Sequence, residues 1–436
     1  MIIKKDTSFK ILKYGLVFLL VSMPFYAFIS VFTTSLVGHY TFVRLYKEFI
    51  LLFLTIVGIY LIAVDQRIRQ QFFASPIIRL IVLFAIIVLA SGFIAKYTNQ
   101  VTTKSLEFGL IVDLRFFLVF SVSYLAGLKI KLSENQLIKF IFWPAMVVAV
   151  FAIIQFFFLP HNFLSYFGYN SHTIQPYQTI NSNSNFVRVI SFMRGSNPLG
   201  AYLILPITLL AVIFYDSKKK ILVVICAMLA IMALIFSFSR SAWLGTALAV
   251  FLVFYFKLPS NRLRKLVIMT VFGLIVLFGL SFVIFKNNTT YQNLVFHYSS
   301  HSAAATSSDG NHLNALETGL IHVLQNPLGS GTGTAGPASI YNLKPPVISE
   351  NFYLQIGVEQ GWLGLFVFGL IIIYVLIGLW QNKQSQLSFI LFCALVGICL
   401  VNLFLPEFAD DTISYVLWIP IGLLLAAKPT NNPKVN

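Results

Sequence analysis

The chain has 436 residues, of which 58% are hydrophobic and only 10% are charged, whereas an ordinary soluble domain carries about 25% charged residues. This composition excludes a water-soluble globular protein, because one folded core cannot bury so much apolar surface. The formal net charge is +16. The basic residues fall in short segments between apolar blocks, a pattern typical of cytoplasmic loops of membrane proteins and not of a nucleic-acid-binding surface.

The apolar blocks are long enough for helices to cross the ~30 Å hydrocarbon core of a bilayer. We therefore predict an all-α fold, a polytopic transmembrane helical bundle of about twelve spans that forms a single integral membrane domain over residues 1–436. The predicted spans are 11–31, 44–63, 77–95, 108–127, 137–159, 199–215, 220–238, 241–256, 264–285, 352–380, 387–405 and 411–427.

The distribution of Lys and Arg predicts the orientation of these spans. With the N-terminus in the cytoplasm, the inner segments hold nineteen basic residues and the outer segments nine, so we expect both termini to be cytoplasmic. The first span lacks a small-residue cleavage site and is interpreted as a retained anchor. The sequence has no convincing internal repeat, which argues against a transporter built from repeated halves.

Two predicted outer segments are long, at about 160–198 and 286–350. The second is a large extracytoplasmic loop between spans nine and ten, for which we expect short helices. Near 311–325 its leucines fall at helical spacing, and long loops of this kind are usually functional or disordered. Within it, the Gly-rich stretch 327–337 predicts a tight loop whose backbone amides approach a ligand closely.

Three arginines stand in or beside the outer segments. Arg188 and Arg194 precede span six, and Arg240 lies in an apolar turn between spans seven and eight. A charge at membrane depth costs about 2.5–3.5 kcal/mol on insertion scales, so such residues tend to have a partner and a role. The guanidinium fork suits the oxygens of a lipid diphosphate. The competing interpretation is that these side chains only reach towards headgroup phosphates.

Other ionisable residues are candidates for chemistry. Asp113 and Arg115 lie inside span four, and their spacing of two puts them on different helix faces, so each is expected to find a partner on another span. A purely structural ion pair is the alternative. Glu350 precedes span ten and is a candidate general base, or else a charge favoured at a helix start.

The sequence predicts neither a metal site nor a nucleotide cofactor. His301, Asp309 and His312 in the large outer loop do not have the spacing of a strong metal site, and no nucleotide-binding Gly-rich loop is present. Cys226, Cys393 and Cys399 all lie in apolar blocks and are interpreted as reduced packing residues.

Four blocks of sequence resemble the bacterial O-antigen ligase and O-antigen polymerase family of polytopic glycosyltransferases. The blocks are Arg188–Tyr202, Ser237–Gly245, Asn326–Pro337 and Glu350–Gly364. They occur in the order of the family and cover roughly the C-terminal 60% of the chain, while the N-terminal spans match only in hydropathy.

The resemblance implies a function at the outer face of the bacterial plasma membrane. Such enzymes take a glycan from undecaprenyl diphosphate and transfer it to an acceptor glycan or lipid, with no metal or nucleotide, for cell-surface polysaccharide biosynthesis. It also implies that Arg188 and Arg240 bind the diphosphate. Our hypothesis for the site adds Arg194 or Arg115 in support of these two, and Asn351, Asp113 and Tyr353 as supporting residues.

The chain departs from the family pattern at one position. Ligases that act on lipopolysaccharide usually carry a His before the Asn that opens the late outer-facing span, where this chain has Glu350 and then Asn351. The base is therefore assigned to Glu350, with His312 as second candidate. The sequence is compatible with both a ligase and a polymerase, and it does not identify the sugar or the acceptor. A flippase for lipid-linked oligosaccharide, or another twelve-span transporter, is the alternative function.

Overall fold

The computed structural model describes residues 5–180, 183–285, 288, 308–343 and 345–427. Most of 286–307 within the predicted outer loop, together with both chain ends, lies outside this part. The described part of the chain is mostly helical, in agreement with the predicted all-α class, because a helix satisfies its own backbone hydrogen bonds where no water is present.

Sixteen α-helices are present in the described residues. They are α1 (Lys5–Ser22), α2 (Tyr26–Val37), α3 (Tyr40–Val43), α4 (Tyr46–Val64), α5 (Gln66–Ala74), α6 (Pro76–Tyr97), α7 (Thr103–Gly127), α8 (Glu134–Phe157), α9 (Ser196–Asp216), α10 (Lys220–Phe236), α11 (Arg240–Lys257), α12 (Asn261–Phe285), α13 (Ser308–Gln325), α14 (Phe352–Gln381), α15 (Gln386–Val401) and α16 (Asp411–Ala426).

Each predicted span corresponds to a helix, and the first is divided into α1 and α2 by a 3₁₀ turn at Met23–Phe25. By length and composition, seven segments of the described chain are apolar and long enough to cross a membrane, and α10, α15 and α16 are shorter apolar helices. The total of twelve spans and the orientation of the termini stay predictions. The helix expected near 311–325 is present as α13.

Close helix packing holds the centre of the bundle together. Helix α7 packs along α16, and α11 packs along α15. A Cβ on Gly422 would lie 2.7 Å from the carbonyl oxygen of Phe120, and a Cβ on Gly397 would lie 2.4 Å from that of Gly245. Small residues at such crossings let two helix backbones approach closely, the usual way of packing helices in a membrane.

Helices α9, α11, α14 and α16 all begin at one end of the bundle, which we call the loop end. The turn before α11 binds the segment before α9, and the cap of α14 binds the end of α15, since Asn351 Nδ2 donates to the carbonyl oxygen of Leu403 at 2.9 Å. The charged residues at or near this end include Arg188, Arg194, Arg240, Glu350, Glu407, Asp410 and Asp411.

A short hairpin at the loop end departs from the all-α prediction. Strand β1 (Gln178–Ile180) pairs antiparallel with β2 (Asn183–Arg188), with Gln178 opposite Arg188. The hairpin occupies the outer segment predicted at 160–198, and it fixes the backbone of Arg188 just before α9 begins.

Candidate functional site

Arg188 is the best-positioned of the predicted diphosphate ligands. Its Nε donates to the carbonyl oxygen of Ser237 at 3.0 Å, and one Nη donates to Oδ1 of Asn197 at 2.5 Å. The backbone N–H of Val189 donates to the carbonyl oxygen of Phe236 at 3.0 Å. The hairpin, the turn at 237–239 and the start of α9 therefore hold this guanidinium from three sides.

Arg240 lies beside Arg188 because it begins α11 directly after the turn that binds Arg188. Burial, and secondly the charge of Arg240, lower the pKa of Arg188 to about 10. Arg188 is still protonated at neutral pH, and no carboxylate in the described part of the chain lies within ion-pair distance of it. Two neighbouring cations at the start of a helix make this position favourable for an anion.

A cavity of about 130 Å³ opens beside Arg188. Its wall combines hydrogen-bonding and apolar groups, namely Gln155, Phe156, His161, Tyr177, Val187, Arg188 and Val189. His161, Tyr177 and Gln155 were not among the residues singled out from the sequence, because nothing distinguishes the first two within the polar segment 160–198 or the third within its apolar span. A polar ligand group in this cavity would lie within reach of Arg188.

Glu350 and Asn351 lie at the start of α14, also at the loop end. Asn351 is the helix cap, since its Oδ1 accepts from the backbone N–H of Leu354 at 2.9 Å. Glu350 directly precedes this cap and is partly buried. The hydroxyl of Tyr353 donates to the carbonyl oxygen of Cys399 at 2.9 Å, so Tyr353 ties α14 to α15. Asn351 and Tyr353 thus position the segment that carries Glu350.

Helix α13 packs against this same segment. A Cβ on Gly319 would lie 2.8 Å from the Cβ of Ser349, and Val323 contacts Gly357. His312 lies on α13, about 10 Å along the helix from Gly319 at ~1.5 Å per residue. Its side chain is outside the described part of the structure, so His312 stays a candidate by position alone.

Arg194 faces the carboxylates before α16. Its side chain is half exposed, and one Nη lies 3.7 Å from Oδ2 of Asp410. Asp410 also caps α16 by accepting from the backbone N–H of Thr412 at 2.9 Å. Close by, Glu407 is buried, and burial beside Asp410 raises the pKa of its carboxyl to about 8. Sequence reasoning missed Glu407 and Asp410, which lie within and directly after the short 3₁₀ turn Glu407–Ala409.

Arg115 does find partners on other spans, as predicted from its spacing. It forms ion pairs with Asp411 on α16 and, at 3.3 Å, with Glu48 on α4. Lys47 approaches the same two carboxylates, at 2.8 Å from Glu48 and 3.7 Å from Asp411. This network neutralises the charge of Arg115, so the geometry favours a structural role in joining α4, α7 and α16.

Asp113 belongs to a separate cluster, which includes the Gly-rich loop. Gln360 donates from Nε2 to Oδ2 of Asp113 at 2.8 Å. Oε1 of Glu359 accepts from the backbone N–H groups of Gly333 at 2.9 Å and Ala335 at 3.0 Å. These two amides, which the sequence suggested for a ligand, therefore bind a carboxylate of the chain itself. The loop is an internal packing element.

A kink in α14 positions the Gly-rich loop 327–337. Gly361 has φ +67°, which breaks the helical geometry. There the backbone N–H of Trp362 donates to the carbonyl oxygen of Pro327 at 3.0 Å. A Cβ on Gly361 would lie 2.4 Å from that oxygen, so only glycine fits here without a shift.

Strained backbone marks the loop end. Ser191, Phe238 and Glu350 all have positive φ, at 51°, 49° and 50°. Bulky residues rarely adopt this conformation, and Phe238 and Glu350 adjoin the turn of Arg240 and the cap of α14. Such strain tends to occur where the surrounding structure fixes a functional geometry.

Comparison with known proteins gives two matches. Residues 224–369 match the family model described as O-antigen ligase. The chain is also 24% identical over 262 residues to an O-antigen polymerase of Salmonella muenchen, covering 58% of this chain and 64% of that relative. The family match contains Arg240, Glu350 and the Gly-rich loop, while Arg188 lies before it. Together the two matches confirm that this chain resembles the O-antigen ligase and O-antigen polymerase family.

Proposed function

We propose that this chain is a membrane glycosyltransferase of cell-surface polysaccharide biosynthesis. It moves a glycan from undecaprenyl diphosphate to an acceptor glycan or lipid at the outer face of the bacterial plasma membrane. The resemblance to O-antigen ligases and polymerases supports the reaction class, and the apolar helices support a multi-pass membrane location.

The observation that carries the proposal is the position of Arg188, which lines the cavity and lies beside Arg240. In the described part of the chain no carboxylate lies within ion-pair distance of Arg188, so a bound anion would offset its charge. A diphosphate supplies negative charge for both arginines and accepts hydrogen bonds from the guanidinium fork. Binding is strengthened in a partly buried position, where the charges are screened less than in water.

The proposed reaction is an inverting displacement at the anomeric carbon. A hydroxyl oxygen of the acceptor forms the new bond to that carbon, while the bond from the carbon to the diphosphate oxygen breaks and its electron pair leaves with the diphosphate. The hydroxyl proton passes to Glu350, the proposed base, for which His312 is the alternative. Arg188 and Arg240 stabilise the charge that develops on the leaving group.

The remaining predicted residues have supporting parts in this proposal. Arg194, half exposed and near Asp410, is available to the acceptor or to the distal phosphate. Arg115 and Asp113 hold the bundle together below the site. No metal or nucleotide is required, because the diphosphate is already an activated leaving group. Helix α13, which packs against the segment that carries Glu350, covers the two glycans and limits hydrolysis by water.

The test uses purified full-length protein in detergent with a synthetic undecaprenyl-diphosphate glycan and candidate acceptor glycans. The proposal predicts release of undecaprenyl diphosphate that depends on the acceptor, with a longer lipid-linked product for a polymerase or a glycosylated second acceptor for a ligase. Arg188→Ala is expected to abolish both. Movement of intact donor across a liposome bilayer, without any product, would support the flippase instead.

A further inference from the structure

Four phenylalanines form an aromatic cluster where α8 and α10 end at the loop end: Phe156, Phe157, Phe158 and Phe236. The rings of Phe156 and Phe236 are stacked with centroids 3.9 Å apart, and the ring of Phe157 meets that of Phe236 edge-on at 5.3 Å. Such ring pairs contribute free energy beyond their buried area. The cluster is thus a defined surface and not a scatter of lipid-facing side chains.

The aromatic cluster and the Arg188 cavity are built from the same two segments. Phe156 lines the cavity together with Arg188. The carbonyl oxygen of Phe236 accepts from the N–H of Val189, and that of the next residue, Ser237, accepts from Arg188. The aromatic cluster therefore adjoins the proposed diphosphate site, since Phe156 lines the cavity and the backbone at Phe236 and Ser237 binds the segment of Arg188.

The cluster continues into the membrane along one face of α8. Phe157 and Phe158 are 56% and 77% exposed. Ile154, Val150 and Val147 are also exposed, and their spacing of three and four residues puts them in one row below Phe158. At ~1.5 Å per residue this row runs about 16 Å along the helix, away from the loop end.

We propose that the aromatic cluster binds the isoprene units of the donor that lie next to the diphosphate, and that the rest of the tail follows the exposed row on α8. This inference rests on the proposed function. The tail and the diphosphate are covalently joined, so a tail whose diphosphate contacts Arg188 has to leave the site close to Arg188. Because lipid is as apolar as the tail, contact with shaped, ordered rings supplies the preference for this face through packing.

The first experiment locates the tail. Full-length protein in nanodiscs is mixed with an undecaprenyl-diphosphate probe that carries a diazirine on the isoprene unit nearest the phosphate. After illumination, crosslinks are expected within 154–158 and 235–238, and excess undecaprenyl diphosphate should remove them. Crosslinks confined to other helices would overturn the assignment.

The second experiment measures the tail preference kinetically. The double variant Phe157→Ala/Phe158→Ala is expected to raise KM for the undecaprenyl donor about tenfold, which corresponds to about 1.4 kcal/mol of lost packing between the rings and the tail. A donor analogue that lacks the isoprene units next to the diphosphate should show no such change. Phe157→Leu/Phe158→Leu should restore most of the affinity.

Matched controls separate this inference from the proposed function. Phe93 and Ile94 on α6 are 72% and 61% exposed, and Phe93→Ala/Ile94→Ala should leave KM unchanged. If both double variants alter KM equally, the tail assignment is wrong. If donor release depends on Arg188 while the crosslinks lie elsewhere, only the tail assignment fails. If release occurs but is indifferent to Arg188→Ala, the assignment of the diphosphate to Arg188 fails, and if no donor and acceptor give acceptor-dependent release, the proposed function itself fails.

Discussion

The Nε of Arg188 donates to the carbonyl oxygen of Ser237 at 3.0 Å, which fixes the guanidinium against the turn that leads into α11. Residues 49 positions apart in the chain are thereby joined, and Arg240 follows three positions later. This contact puts two positive charges side by side, which is the arrangement that a diphosphate would neutralise. The predictions below test the arrangement and the fold that supports it.

Substitution of either arginine should reduce catalysis strongly. For Arg188→Ala and Arg240→Ala we expect kcat/KM for the donor to fall about 10²–10³-fold, as for loss of one preorganised group that stabilises developing negative charge. Arg188→Lys should recover little, because an ammonium cannot reproduce the fork that reaches Ser237 and Asn197 together. Release of undecaprenyl diphosphate gives the rate, and Lys96→Ala, which removes an exposed charge from the end of α6, is the control.

Asn197 should act as a positioning residue for Arg188. Its Oδ1 accepts from an Nη of Arg188 at 2.5 Å. Asn197→Asp keeps the shape but adds a negative charge, which should pair with the guanidinium and compete with the diphosphate. We expect KM for the donor to rise more in this variant than in Asn197→Ser, with the difference shrinking at high salt. Equal KM values at low salt would contradict the assignment.

The kink in α14 should require glycine. In Gly361→Ala the backbone conformation of φ +67° and ψ −168°, which essentially only glycine adopts, costs about 1–3 kcal/mol, and the new methyl group meets the carbonyl oxygen of Pro327 at 2.4 Å. A marked loss of thermal stability in detergent is expected. Gly369, in the same helix, has nothing within 4 Å of a built Cβ, so Gly369→Ala should be neutral or stabilising. Similar melting temperatures for the two variants would contradict this account of the kink.

Glu407 should make the stability depend on pH. Burial beside Asp410 raises its folded-state pKa to about 8, while an unperturbed glutamate titrates at about 4.3. Between these values the folded protein binds more protons than the unfolded chain, so stability should fall as the pH rises through this window and level off above it. Glu407→Gln stays neutral and should flatten the decline. Melting curves from pH 5 to pH 9 give the comparison, and an unchanged slope would contradict the assignment.

Local patterns in the sequence predict the helices well but not the contacts between distant segments. Apolar blocks predict the helices, and leucine spacing predicts α13, because both signals are local. Arg115 and Asp411 are 296 positions apart, and no local pattern reports such a pair. The same holds for Glu359, whose binding of the Gly333 and Ala335 amides reverses the role expected for the Gly-rich loop.

The candidate site was predictable only in part for the same reason. The resemblance to a family identified Arg188 and Arg240 individually, but their juxtaposition depends on the β1–β2 hairpin, and its polar Asn, Ser and Gln residues show no strand alternation. His161, Tyr177 and Asn197 come close to Arg188 only when that hairpin folds against α8 and α10. Asn351 was expected as a supporting residue, and in the structure it caps the start of α14.

Direct binding of undecaprenyl diphosphate tests the central claim, that Arg188 and Arg240 hold the donor diphosphate. Equilibrium binding of the radiolabelled lipid to purified protein in nanodiscs would be measured for wild type, Arg188→Ala, Arg240→Ala and Lys96→Ala. We predict that Kd rises at least tenfold in each arginine variant and is unchanged in Lys96→Ala. The same Kd in all four proteins would show that the diphosphate is held elsewhere.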